Sequence, residues 1–346
     1  MKILHFCSLD KFIPPFISNI KENFESSEHL FWLFGDIDRY SVDIGNNVKY
    51  GGGTLLKRVR ALFDFVKDLH GVDKIILHSF TSTKVALILF FMPWLSKKCY
   101  WFIWGGDLYG FKTDKRNLKW NVKEFFRRPV IRRMANLVTY LKGDYNLAKE
   151  WYGCTGIWHE CIMYTSNTYK ELPIDINNTA KLTILLGNSA DPTNNHIEAL
   201  QKISCYKDHE IEVIAPLSYG KKEYSNSVIL EGKKILGGKF RAITDFIPFP
   251  KYFELLSNVN IAVFNHNRQQ AMGNTILLLG LKKTVYIKRG TSQWELFEHK
   301  KIKILDVENF SLLEISERDK VRNKEIIREY FSIENLNKQL DDIFKY

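Results

Sequence analysis

The chain segment Gly187-Asn188-Ser189-Ala190-Asp191-Pro192-Thr193-Asn194-Asn195-His196 sets a glycine and several small polar residues directly after an apolar run. A glycine lets another molecule approach the backbone closely, and small polar residues opening a helix leave N–H groups free for an anion. The same residue types are ordinary helix caps, so a capped helix start also accounts for them. A second segment, Arg268-Gln269-Gln270-Ala271-Met272-Gly273-Asn274-Thr275, precedes the apolar run that begins at Ile276. A guanidinium, two amide side chains and a glycine at a helix start suit a diphosphate; an exposed polar loop is the alternative. Neither GxGxxG nor GxxxxGK[ST] occurs, which argues against dinucleotide and ATP sites of the common kinds.

Two residues of the N-terminal half could handle protons. Asp107 follows Trp101-Phe102-Ile103-Trp104-Gly105-Gly106, a very apolar run ending in a glycine pair. Its carboxylate could act as a general base, hold a hydroxyl, or cap the next turn. His78 follows Ile75-Ile76-Leu77 and could orient or deprotonate a hydroxyl, or be a structural histidine. Asp10 and Asp144 are weaker versions of the same pattern.

Residues like these act only if strands and helices bring them to one edge. Short apolar runs alternate with helical patterns along the chain, the mark of βα units around parallel sheets. Strands are expected at 3–7, 30–34, 74–78, 99–104 and 137–141. A second series is expected at 182–186, 212–215, 241–244, 260–264, 284–287 and 302–305. Leu55, Val59, Leu62, Val66 and Leu69 make one apolar helix face behind Thr54 as N-cap. Residues 164–181 are polar, carry Pro173 and read as an interdomain connection. The fold class is therefore α/β, two doubly wound domains (1–165 and 181–346) facing across a cleft, with a last helix that could cross back. In such sheets ligands bind beyond the carboxyl ends of the strands, where the candidate loops fall.

Composition limits the choice further. The 346 residues carry a formal charge of +11, which favours anionic partners. Much of the excess lies between Lys112 and Arg133, interleaved with Trp120, Phe125, Phe126 and Ile131. Such a helix could grip anionic lipid, be a solvated face, or bind nucleic acid, although nucleic-acid module signatures are missing. Five cysteines without CxxC spacing suggest reduced thiols in the cytoplasm, and no zinc pattern appears. The N-terminus reads as a strand and not as a signal peptide, and the longest apolar run is too short to span a bilayer.

The strings IWGGDLY (103–109), LLGNSADPTNNH (185–196) and RQQAMG (268–273), in this order, resemble glycosyltransferase family 56. The resemblance runs over roughly residues 70 to 300. It implies a GT-B fold, with donor held mainly by the second domain and no catalytic metal or other cofactor. It implies transfer of a 4-acetamido-4,6-dideoxyhexose (Fuc4NAc) from dTDP to a polyprenyl-diphosphate-linked saccharide, as in enterobacterial common antigen synthesis. The place would be the cytoplasmic face of the inner membrane, peripherally bound through the segment from Lys112 to Arg133, with no nucleic-acid partner. Carried over residue by residue, the donor positions are Gly187, Asn188, Ser189, Asn194, His196, Arg268, Gln269, Gln270 and Gly273. Asn274, Thr275 and Tyr219 belong to the same expected site, Tyr219 through a looser match to the family's Pro-x-Gly-Tyr. Trp104, Gly105, Asp107 and Tyr109 fall on the acceptor side. Ala271 and Asn274 depart from the family pattern, so an O-antigen enzyme with a related dTDP-4-amino-4,6-dideoxyhexose fits as well. A nucleotide-sugar epimerase and a non-enzymatic binder of acidic polysaccharide or nucleic acid are the rival readings.

Overall fold

A computed structural model describes residues 1–171 and 181–346. The chain divides into two compact units, Met1–Ser166 with Ile333–Tyr346, and Asn167–Ser332. Part of the expected connection, residues 172–180, lies outside the described residues.

The first unit runs β1 (Ile3–Ser8), α1 (Ile13–Asn23), β2 (His29–Phe34), β3 (Val48–Tyr50), α2 (Leu55–His70), β4 (Lys74–His78) and α3 (Thr83–Phe91). It continues with β5 (Cys99–Phe102), α4 (Gly106–Thr113), α5 (Leu118–Arg133), β6 (Asn136–Val138), α6 (Lys142–Tyr152) and β7 (Ile157–His159). The strands pair in parallel in the order β3-β2-β1-β4-β5-β6-β7. Every residue of β4 and β5 is buried, as expected of parallel strands covered on both faces. The short strands β3 and β7 were not expected from the sequence.

In α2 the apolar face does not pack as its spacing suggests. Phe65 and Leu69 are buried, yet Leu55, Leu56 and Phe63 are 77, 82 and 73% exposed.

The second unit runs β8 (Leu182–Leu186), α7 (His196–Ile203), β9 (Ile211–Pro216), α8 (Lys222–Leu236), β10 (Phe240–Ile243) and α9 (Phe249–Ser257). Then follow β11 (Ile261–Phe264), α10 (Met272–Gly280), β12 (Thr284–Ile287), α11 (Ser292–His299), β13 (Leu305–Asp306) and α12 (Glu317–Tyr330). The order is β10-β9-β8-β11-β12-β13, again parallel. The order in which strands are added switches sides between β8 and β11, so the loops leaving these two parallel strands flank the crevice where such sheets bind ligands.

The closing helix α13 (Ile333–Lys345) belongs to the first unit. Its carbonyls of Ile343 and Phe344 accept from Lys74 Nζ at 2.7 and 2.6 Å, and Gln339 Oε1 accepts from the Ile162 amide at 2.8 Å. Burial holds the Lys74 ammonium below its ordinary pKa.

Candidate active site

In the second unit the two glycine-bearing loops are tied together by one side chain. Asn194, 1% exposed, accepts at Oδ1 from the Asn188 amide (2.9 Å) and from His266 Nε2 (3.1 Å). Its Nδ2 donates to Ser189 Oγ (3.3 Å) and Gln270 Oε1 (3.0 Å). The Thr193 hydroxyl donates to Asp191 Oδ1 (2.6 Å) and lies 3.1 Å from Gln270 Oε1, and its carbonyl accepts from the Asn267 amide (2.9 Å). Residues 187–195 and 265–271 thus form one surface at the switch point.

Local backbone explains why these residues stand here. Gly187 has φ +65°, and a Cβ there would overlap His196 Nε2 and come within 2.9 Å of Asn194 Oδ1. Asn195 and Ala271 take left-handed conformations at the starts of α7 and α10, and Ala271 has no side chain to cap the helix. The first amides of α10, including that of Gly273, therefore have no side-chain cap. Asn274 Nδ2 donates to Tyr252 OH (2.9 Å), and buried Thr275 accepts from Gln293 Nε2 (2.8 Å). The Gly220 turn is paired with Ala190, and Asn188 Nδ2 donates to Tyr219 OH at 2.8 Å.

Charge at this surface is balanced in a particular way. Arg268 Nη2 lies 3.2 Å from Asp191 Oδ2, and Arg268 also donates to the Gln269 carbonyl at 3.4 Å. Burial pushes the Asp191 carboxyl up, but the Thr193 bonds and the Arg268 charge outweigh it and hold the group below its ordinary range. Burial keeps His196 and His266 neutral, at about 4 and about 3. Among the described residues, fully buried His196 has no partner at Nε2, and buried Asn188 Oδ1 and Asn265 Oδ1 have none either. Asn265 and His266 were missed in the sequence, although their place directly after an apolar strand was a usable signal.

The first unit treats its candidates differently. Asp107 is 4% exposed, and its carboxylate accepts from the Phe80 amide (2.8 Å), Trp101 Nε1 (2.6 Å) and the Trp104 amide (3.0 Å). Three donors on a buried carboxylate make it an anchor for the loop carrying Trp104, and this corrects its reading as a free base. His78 is also engaged at both nitrogens. Nδ1 meets Tyr164 OH at 2.6 Å and Nε2 meets His5 Nδ1 at 3.0 Å; His5 Nε2 in turn meets His29 Nδ1 at 2.9 Å. Burial lowers His78 to about 3 and His29 to about 4 and takes His5 well below its usual value, so the chain of rings is neutral. Trp104 Nε1 donates to Tyr164 OH (2.6 Å), Gly105 precedes α4 at φ +78°, and Tyr109 OH donates to Asp144 Oδ1 (2.7 Å).

The basic segment needs a correction as well. Arg127 is 2% exposed and donates to the carbonyls of Phe80 (2.7 Å) and Asp107, to Glu124 (2.9 Å) and to Tyr152 OH (2.6 Å). It is a core residue and cannot meet a membrane. Leu118, Val122 and Phe125 are exposed on the same helix, as are Lys115, Arg116 and Lys119 around its start.

Known structures share this architecture across their whole length. Anabaena HepE, solved with UDP, superposes with TM-score 0.71 at 11% identity, covering 100% of both chains. Sucrose-phosphate synthase from Thermosynechococcus elongatus gives 0.68 at 10% identity, covering 100% of this chain and 98% of that one. WaaG, a glycosyltransferase involved in lipopolysaccharide biosynthesis, gives 0.61 at 10% identity, covering 99 and 98%. The fold is GT-B. The family described as 4-alpha-L-fucosyltransferase, glycosyl transferase group 56, matches residues 60–329 and so takes in both candidate loops. The chain belongs to glycosyltransferase family 56 and is a glycosyltransferase acting on a nucleotide sugar.

Proposed function

We propose that this enzyme moves a 4-acetamido-4,6-dideoxyhexose from dTDP to a polyprenyl-diphosphate-linked saccharide. The observation that carries the donor half is the Asn194 knot, which ties the Asn188 and Gln270 loops together and so brings the segments of Gly187 and Arg268 to one place. The diphosphate lies against Gly187, where its oxygens can accept from the uncapped amides at the start of α10. Arg268 turns from Asp191 toward the leaving phosphate as charge develops, which stabilises the transition state more than the ground state. Cation and helix terminus take the part a metal ion plays in other transferases. Tyr219, Tyr252 and Asn274 are placed to meet base or sugar. Asp107 and His78 act as positioning residues for Trp104 on the acceptor side.

The acceptor half of the reading rests on surface chemistry. The charge of +11 and the exposed Lys115, Arg116, Lys119, Leu118 and Phe125 suit an anionic lipid face. Among the described residues no helix is long and apolar enough to cross a membrane. We place the enzyme peripherally on the cytoplasmic side of the inner membrane.

Arg268→Ala tests the phosphate assignment. Loss of a charge-assisted bond of about 1.5–3 kcal/mol should lower kcat/KM for the dTDP donor by about 10- to 100-fold. Unchanged turnover in a radiolabelled-sugar transfer assay would remove Arg268 from the reaction.

A further inference from the structure

The first unit contains a cavity of about 470 Å³ beyond the carboxyl ends of β1, β2 and β3. Its walls are of two kinds. Phe34, Leu62, Phe65, Val85 and Ile88 make one side apolar, while Arg58 and Lys84 place two cations at its margin. Neither cation has a carboxylate partner within 4.0 Å among the described residues. Asp36 also lines the space, but its Oδ1 is occupied by the amides of Asp38 and Arg39, both at 3.1 Å.

The floor of the cavity is glycine by necessity. Gly51 and Gly52 line it, and a Cβ on Gly51 would overlap the Phe34 ring and one on Gly52 the Tyr50 ring, so the rings close over the backbone only because both positions are glycine. Arg58 and Leu62 belong to α2, whose outer apolar face is the unpartnered one. From Leu62 it continues through Val59, Leu55, Leu56 and Phe63, all exposed, with Lys57 and Arg60 beside them.

An aliphatic face this large leaves apolar area in water that a soluble chain ordinarily buries. A cationic, glycine-floored cavity that opens along it has the polarity of one ligand class, a diphosphate on a long hydrocarbon chain. We infer that this cavity and the outer face of α2 hold the polyprenyl diphosphate of the acceptor, with Arg58 and Lys84 on the diphosphate and the isoprenoid along Leu62, Val59 and Leu55. The inference rests on the lipid-linked acceptor proposed above and gives it a place. The cavity takes the diphosphate and the first isoprene units; the rest of the chain lies on α2 toward the bilayer.

The test measures co-sedimentation of the full chain with three phosphatidylcholine vesicles: plain, doped with undecaprenyl diphosphate, and doped with phosphatidylglycerol to equal charge. The native chain should prefer the undecaprenyl diphosphate vesicles. Arg58→Gln with Lys84→Gln should lower that binding by at least about tenfold, with dTDP affinity unchanged by calorimetry and Arg58→Lys with Lys84→Arg retaining most of it. Leu55→Ser with Phe63→Ser should weaken binding to the undecaprenyl diphosphate vesicles while leaving the fold and dTDP binding intact. Full binding by the double Gln variant overturns the subsite and leaves the lipid-linked acceptor standing. Equal binding of the native chain to both charged vesicles overturns the lipid-linked acceptor together with the subsite. If sedimentation equilibrium shows that α2 is buried between two copies, and the Ser variant is monomeric with lipid binding unaltered, the face is a dimer contact and the inference fails.

Discussion

Asn194 illustrates how much one amide can decide. It uses its carbonyl oxygen twice and its NH₂ twice, so each of its bonds closes a different part of the donor surface. Asn194→Ala would leave the Asn188 amide and His266 Nε2 without acceptors. At about 1–3 kcal/mol for each orphaned buried donor, the second unit should lose roughly 2–6 kcal/mol in urea unfolding. Nucleotide affinity, read by calorimetry, should fall at the same time, because the Gly187 and Gln270 loops are no longer held in register. Asn194→Asp keeps the acceptor and loses the donor, and should fall between. At this scale the sequence was informative about residue type and blind to partner. Asp107 and Asp191 both follow apolar strands, yet one is saturated by backbone and indole donors while the other balances Arg268.

Helix α5 shows the same ambiguity at the scale of elements. Its run of cations reads as a surface, and most of them are on one, but the turn that faces α3 and α6 buries Arg127 with Glu124. Charge cannot say which members of a basic helix point inward; packing against neighbouring helices does. Arg127→Met should cost about 3–5 kcal/mol, since it removes the closer of the two cations from the buried Glu124 carboxylate, leaving Arg128 at 3.4 Å, and orphans the Phe80 and Asp107 carbonyls. Arg127→Met with Glu124→Leu should recover a large part of that loss, and thermal denaturation of the single and double variants measures the difference. In α2 the apolar spacing is correct and the helix forms where expected, yet most of that face stays in water. Amphipathic period specifies a helix and an apolar stripe, without specifying what covers the stripe.

For the whole molecule the consequence is a dependence on pH. His5, His29 and His78 in the first unit, and His196 and His266 in the second, are neutral with pKa values lowered by burial. Their unfolded forms titrate near 6.5, so above that pH the full stabilisation is present. As pH falls from about 6.5 toward 4, unfolding takes up protons that the folded chain refuses, and stability drops. Each such proton contributes about 1.4 kcal/mol per pH unit, so three histidines should cost the first unit roughly 4 kcal/mol per unit and two should cost the second roughly 3. Urea midpoints followed between pH 7 and 4.5 should fall steeply, and the first unit should go first. A flat profile would mean that the rings are hydrated and the ladder open. The family match and the GT-B architecture agree with what the three sequence strings implied, from the fold down to nucleotide-sugar transfer.

What the sequence determined by itself was order and kind: alternating strands and helices, two series of them, and polar loops placed after strands. These follow from local periodicity and from turn chemistry, which act over a few residues and leave their mark in spacing. Only the tertiary structure decided that Asn194 reaches across to Gln270, that Arg127 is core, that Asp107 is saturated, and that the last helix lies with the first unit. Those outcomes depend on which side chains meet after the chain has closed loops of dozens to hundreds of residues. Such meetings are set by packing between distant elements, and neighbouring residues carry no trace of them.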